Sequence, residues 1–299
     1  MPFERPPTID PVAAAHWQAT APALSPWLHE EVARRMEQRL QWIRIPPQAW
    51  CHWDPVRGGL QAHALVRARY PQALCHVVET APHLQPVAAK ALAPAWWSAS
   101  RWKGAGVRFE APAPGSVQRL WANMALHMAA DPQALIAQWQ KALSVDGYLM
   151  FSCLGPDTLR ELRALYAAMD WPLPGHAFTD MHDWGDMLIE AGFAEPVMDM
   201  ERITLTFPSA PRLLQELREL GRNLHPARFA GLRGRRWKAG LEQALTERLA
   251  APEHGGQLAL TFEIVYGHAY KPTPRVPVAG ESAVSLQDMR AMLRGNQRR

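Results

Sequence analysis

The sequence predicts an α/β fold built on a mostly parallel sheet. Short β-rich runs alternate with amphipathic helical stretches through the first half, an order that puts helices on both faces of a parallel sheet. Two long alternating runs, 197–207 and 258–270, read as late strands in the second half. Hydrophobic residues make up 48% of the 299, and the formal charge is only +4, which excludes global disorder.

Each element follows from local pattern. Residues 16–43 read as a helix, with Leu28, Val32, Met36, Leu40 and Ile43 forming an apolar stripe. Within it, Ser25-Pro26 resembles a cap followed by proline at the first helical position. Pro46-Pro47 break the helix, and a first strand is expected at 48–52. A helix at 60–70 stops at Pro71, a second strand covers 73–79, and a short helix covers 86–92. Third and fourth strands are expected at 106–112 and 117–126. Asp131-Pro132 caps a helix reaching Leu143, and 148–154 is the clearest strand. Residues 157–169 and 180–191 are helical; Asp180 caps the second, Asp183 lies three residues on, and Gly192 stops it. Residues 210–250 read as helical with a basic cluster, and the chain after Pro272 is proline-rich, then polar.

This length buries roughly 75% of the unfolded surface, enough for one large core without staples. The reading is a single domain over 1–272, with an N-terminal helical lid at 16–43, cofactor-side βα units at 48–155 and a helical insert at 208–255. A flexible tail is expected over 273–299. Cys51, Cys75 and Cys153 are odd in number and lack a CxxC pair, so buried thiols in a reducing cytoplasm are expected, with no disulfide framework and no metal site. The opening MPFERPPTIDP has no apolar signal region, and no run approaches the ~20 apolar residues of a membrane span.

Five βα units followed by two late strands is the order of class I S-adenosylmethionine-dependent methyltransferases. The strings EEVARRMEQRLQWIRIPPQ, ANMALHM, GYLMFSCLGPDTLRELR, FTDMHDWGDMLIEAGFAEPVMDMERITLTF, LRGRR and TFEIVYGHAYKP resemble the malonyl-acyl-carrier-protein O-methyltransferases of biotin synthesis. The resemblance spans roughly residues 10–272. It implies a Rossmann-like, seven-stranded, mostly parallel sheet with S-adenosylmethionine as cofactor. It also implies a cytoplasmic monomer that methylates the free carboxylate of malonyl on acyl-carrier protein.

The family's cofactor loop resembles LDxGCGxG. Here the acid position holds His52, the first two glycine positions hold Asp54 and Val56, and Gly58 matches, followed by Gly59. Glycine is wanted there for a tight turn with positive φ and close backbone approach. A left-handed Val56 would cost roughly 1–2 kcal/mol, and Pro55 has no amide to donate. Asp54, Gly58 and Gly59 of this loop are the expected cofactor contacts. The resemblance adds Glu79, whose carboxylate accepts ribose hydroxyls at a strand's carboxyl end, against the reading of a surface glutamate. It adds Asn123 beside the cofactor, against an ordinary turn residue. Gln118 replaces an aspartate opening the fourth strand, and Glu110 is a stand-in for an adenine-binding acid. Trp17 occupies a lid tyrosine's position, with core packing as the alternative.

A malonyl carboxylate is ionised at neutral pH, so it needs no general base. Catalysis reduces to alignment and exclusion of water, which calls for a cation or donor at the acceptor. Arg163, after the fifth strand, is the first catalytic candidate and His268, on the last strand, the second. A solvated helix arginine and a satisfied core histidine are the competing readings. The basic run Arg222, Arg228, Arg233, Arg235, Arg236 and Lys238 suits an acidic carrier protein, unless it is only a solvated face. A charge of +4 without an aromatic ladder argues against nucleic acid. Asn123-Met124-Ala125-Leu126 also lacks the aromatic–proline pattern of nucleic-acid methyltransferases. The rival function is a catalytically impaired relative whose cofactor loop has decayed, leaving a binding or regulatory module; a hollow plugged by Trp53, Val56 or a neighbouring side chain would point to it.

Overall fold

The structure is a computed structural model describing residues 9–93, 106–229 and 231–274. Residues 275–299, nearly all of the expected tail, lie outside the described residues. The elements are α1 (Pro11–Thr20), α2 (Trp27–Arg39), β1 (Ala49–Trp53), α3 (Pro55–Gly58), α4 (Leu60–Arg69), β2 (Leu74–Val78) and α5 (Gln85–Leu92). They continue with β3 (Val107–Arg108), β4 (Val117–Ala122), α6 (Pro132–Ala142), β5 (Leu143–Leu154), α7 (Arg160–Ala168) and α8 (Met181–Glu190). The chain closes with β6 (Ala194–Phe207), α9 (Ala210–Leu220), α10 (Arg235–Arg248), β7 (Ala250–Ala251) and β8 (Gln257–Tyr270).

The strands form one sheet in the order β3-β2-β1-β4-β5-β8-β6, with the two-residue β7 paired to β8. The first five strands are parallel, and β8 runs antiparallel to both β5 and β6. The expected seven-stranded, mostly parallel sheet is therefore present, with β7 added. The central strands β1 and β4 are buried nearly throughout, as expected for a sheet covered on both faces. One face packs Leu28, Val32 and Met36 of α2 against Leu84 and Phe262. The other packs Ile136 and Trp139 of α6 and Trp184 and Leu188 of α8 against Leu149 and Phe151. The strand order reverses between β1 and β4, so a crevice opens at their carboxyl ends.

Local chemistry explains most boundaries. Asp131 Oδ1 accepts from Ala134 N at 2.9 Å and Asp180 Oδ1 from His182 N at 2.8 Å, so both expected caps are made. Gly192 adopts φ +87° just past α8. Cys51, Cys75 and Cys153 are buried free thiols. Among the described residues no helix is long and apolar enough to cross a membrane.

Several expectations need correction. Residues 16–43 form two helices, because Pro22 and Pro26 interrupt the turn between α1 and α2. Ser25 does not cap α2; its hydroxyl donates to Val56 O at 2.8 Å and accepts from Leu60 N at 3.1 Å. The third strand shrinks to two residues and the fourth ends at Ala122. The 210–250 helix is broken by the segment 221–234, which contains Gly221, Pro226 and Gly234. Arg222, Arg228 and Arg233 therefore sit on a loop, while Arg235, Arg236 and Lys238 open α10.

Candidate active site

A cavity of about 450 Å³ lies at the carboxyl ends of β1, β2 and β4. Its floor is the loop after β1, its sides include Glu79 and Asn123, and α1 roofs it through Ala14, Trp17 and Gln18. That volume falls within the roughly 300–1,000 Å³ of small-ligand pockets. Trp53 lines the cavity without filling it, and Val56 is fully buried beneath. The hollow is not plugged.

The loop solves its missing-glycine problem in a way the sequence reading missed. The positive φ falls on Asp54, at +48°, and not on Val56, which lies inside the helical turn of α3. Aspartate tolerates the left-handed region better than a β-branched residue, so the expected Val56 strain is absent. The turn is held by Asp54 N to Val78 O at 2.8 Å. Asp54 Oδ1 also accepts from Thr80 N at 2.8 Å and Thr80 Oγ1 at 2.7 Å. Pro55 takes the first helical position, where its missing amide costs nothing. Gly58 packs so closely that a Cβ would stand 3.0 Å from Asn123 O. Gly59, an expected cofactor contact, is not brought to the cavity: it adopts φ +121°, and a Cβ there would face Glu30 and Ala33 of α2.

Glu79 is buried at the end of β2, and its Oε2 accepts from Val56 N at 3.2 Å. Burial and the neighbouring Asp54 carboxyl push Glu79 up; burial likewise pushes Asp54 up. Asn123 is fully engaged: Nδ2 donates to His29 O at 2.9 Å and to Gly58 O, while Oδ1 accepts from Ser152 Oγ at 2.6 Å. Its side chain braces the cofactor loop to α2. Trp17 lines the cavity and also packs with Ile9, Ala14, Ala21 and Leu224, so its two readings coincide. The Arg57 and Arg222 guanidinium groups lie 5.3 Å and 5.1 Å from its ring.

A second cavity of about 240 Å³ adjoins the first through His29, Met128 and Leu220. Arg163, Arg218 and Arg222 line it among apolar side chains and a few neutral polar ones, and among the described residues no acidic one does. Arg163 is oriented by carbonyl oxygens, Nη1 donating to Thr158 O and Nη2 to Pro156 O at 2.6 Å. His29, at the shared wall, donates from Nδ1 to Arg57 O at 2.7 Å, because a carbonyl only accepts. Burial pushes it down to about 3, so it is neutral.

His268 is not brought to either cavity. It pairs with Met150, four residues before the strand end where Leu154 meets Ile264, and stacks edge-on against Tyr270 at 6.4 Å. The antiparallel run of β8 puts Phe262, not His268, at the site end. Glu110 pairs with Arg108 at 3.7 Å in a separate small hollow that shares only Glu79 with the main cavity. Gln118 Oε1 accepts from Gln48 N at 3.1 Å and Ala49 N at 2.8 Å, bracing the start of β1. Nor do the basic candidates form one free face. Arg228 pairs with Asp10 at 2.5 Å, Arg233 stacks 3.9 Å over Trp237, and Lys238 pairs with Glu242 at 3.4 Å, leaving Arg235 and Arg236 exposed.

Comparison with known proteins agrees with this geometry. The chain is 37% identical over 263 residues to the malonyl-[acyl-carrier protein] O-methyltransferase of Laribacter hongkongensis, covering 83% of this chain and 84% of that one. It is 36% identical over 266 residues to the protein of the same name from Gallionella capsiferriformans, covering 86% and 88%. The chain belongs to the malonyl-[acyl-carrier protein] O-methyltransferase family. No family model matches it. Among solved structures, a Bacillus halodurans protein described as a methyltransferase superposes with a TM-score of 0.52 at 14% identity, covering 81% of this chain and all of that one. The YcgJ protein of Bacillus subtilis gives a TM-score of 0.51 at 13% identity, covering 82% and 99%. These likenesses show the fold.

Within this methyltransferase family member, Arg57, Arg218 and His29 escaped sequence reasoning. A lone arginine or histidine in an amphipathic stretch carries no signal until the fold brings it to a cavity wall.

Proposed function

We propose that this chain transfers a methyl group from S-adenosylmethionine to the free carboxylate of malonyl carried on acyl-carrier protein. The observation that carries this reading is a cavity lined by three arginines and, among the described residues, by no acid, opening beside a cavity of cofactor size. When bound, S-adenosylmethionine supplies an electrophilic methyl group. The protein's own residues do the rest. Glu79, at the end of β2, faces the larger cavity and suits ribose hydroxyls. Asp54, Arg57 and Gly58 of the loop after β1 form the floor, Asn123 braces it, and Trp17 covers it.

Arg163, with its fork fixed by two carbonyls, attracts and orients an ionised acceptor. An already anionic nucleophile requires no base, and none of the buried histidines is asked to serve as one. Alignment within a water-poor space is the catalytic contribution. Arg235 and Arg236 remain available to steer an acidic carrier. A cytoplasmic monomer is part of the same proposal, and the relatives' names support the acceptor.

The test is mass spectrometry of malonyl-acyl-carrier protein incubated with enzyme and S-adenosylmethionine. One added methyl, absent with acetyl-carrier protein, supports the reading. No product, together with no calorimetric signal for S-adenosylhomocysteine, would favour the decayed-loop alternative, which no observed contact favours.

A further inference from the structure

Helix α1 roofs the cofactor cavity yet is docked on a loop more than on the sheet. Its Ala14 and Trp17, with Ala21 just past its end, join Ile9 and Leu224 in a small cluster separate from the two main cores. Leu224 belongs to the segment after α9, whose Gly221, Arg222 and Asn223 wall the arginine-lined cavity.

Two polar links join the helix to that segment. Asp10 N donates to Leu224 O at 2.8 Å, and Arg228 Nη1 donates to Asp10 Oδ2 at 2.5 Å. The other Asp10 oxygen caps α1 through Val12 N at 2.8 Å and Ala13 N at 3.3 Å. On its far side, Leu224 N donates to His176 Nδ1 at 3.4 Å. That bond fixes the tautomer, so His176 Nε2 donates to His127 O at 3.2 Å. His127 and His176 both line the acceptor cavity. A continuous hydrogen-bonded path thus runs from the acceptor wall through Leu224 to the first turn of the roof over the cofactor.

We propose that Asp10 and Arg228 are a positioning pair that clasps α1 to the acceptor-cavity loop, so that filling either cavity favours closure over the other. This rests on the proposed methyl transfer and deepens it. It also withdraws Arg228 from the carrier-docking surface, because its guanidinium is already paired. Neither residue touches substrate; each acts through the roof and loop. A partly exposed pair of this kind is worth at most about a 3- to 5-fold change in affinity.

The test is calorimetry of the full chain with S-adenosylhomocysteine, with and without free malonate. Asp10→Asn keeps an oxygen to cap α1 while losing the charge pair, and Arg228→Gln removes the pair without touching the cap. Each is expected to weaken binding about 3- to 5-fold, with the double variant no weaker than either single one. Arg228→Lys should recover most of the loss. Malonate should tighten binding in the wild type and lose that effect in both variants. Unchanged affinity in the single variants, additive losses in the double, or malonate coupling that survives them would overturn the clasp. If the wild type bound no S-adenosylhomocysteine, the proposed function itself would fail, and the clasp with it.

Discussion

Asp54 stands where the family's pattern has glycine and supplies the backbone conformation a glycine would have supplied. Two bonds from Thr80 hold its carboxyl, so the loop keeps its bend with a residue that also sits beside Glu79. Glu79→Ala is expected to weaken S-adenosylhomocysteine binding by at least about 10-fold, the scale of losing charge-assisted hydrogen bonds. Wild-type affinity in that variant would remove Glu79 from the site. Gly59 still needs its freedom: at φ +121° an added Cβ would also stand 3.0 Å from Glu30 Oε2. Gly59→Ala should cost about 1–3 kcal/mol in urea unfolding, whereas a neutral result would mean the turn relaxes.

At the level of elements, α7 and α9 wall the arginine-lined cavity, the acceptor side of the proposed reaction. Arg163 lines the cavity with its fork held by the carbonyls of Thr158 and Pro156, which precede α7. Arg163→Met should raise KM for the malonyl carrier protein by about 10-fold or more, while leaving S-adenosylhomocysteine affinity near wild type. Unaltered kinetics would exclude it from acceptor recognition. Helix α10 presents Arg235 and Arg236 from an amphipathic turn whose Leu241, Ala244 and Leu245 are buried. Reversing both arginines to glutamate should weaken carrier binding several-fold at low salt, and the difference should shrink as salt rises. A salt-independent effect would point to packing.

Across the whole molecule, buried imidazoles set the acid response. Burial pushes His29 down to about 3 and His63 down to about 4, and holds His52 and His127 well below the usual range. His52 and His63 also share one Nδ1···Nδ1 contact of 3.0 Å, which requires one donor and one acceptor, so protonating both would break it. Groups depressed in the fold contribute stability present above about pH 6.5 and lost as pH falls toward 3–4. Each such histidine costs up to about 2 kcal/mol by pH 5. Asp54, Glu79, Glu216 and Glu263, raised in the fold, act in the opposite sense but are fewer than the depressed histidines, which also include His76, His176 and His268. Urea midpoints should therefore be clearly lower at pH 5 than at pH 7; an equal or higher midpoint would contradict the burial of neutral imidazoles.

The sequence by itself determined the mostly parallel sheet, the presence of two late strands and the caps at Asp131 and Asp180, because periodicity and capping are local. It also pointed to Glu79, Arg163 and Trp17, which line the two cavities. Tertiary structure alone decided what local pattern cannot encode. Strand direction carried His268 away from the crevice, and the Asp10–Arg228 pair consumed a cation that looked free. The left-handed turn moved from Val56 to Asp54 because contacts with Thr80 and Val78, distant in sequence, fix the loop only when β1 and β2 lie side by side.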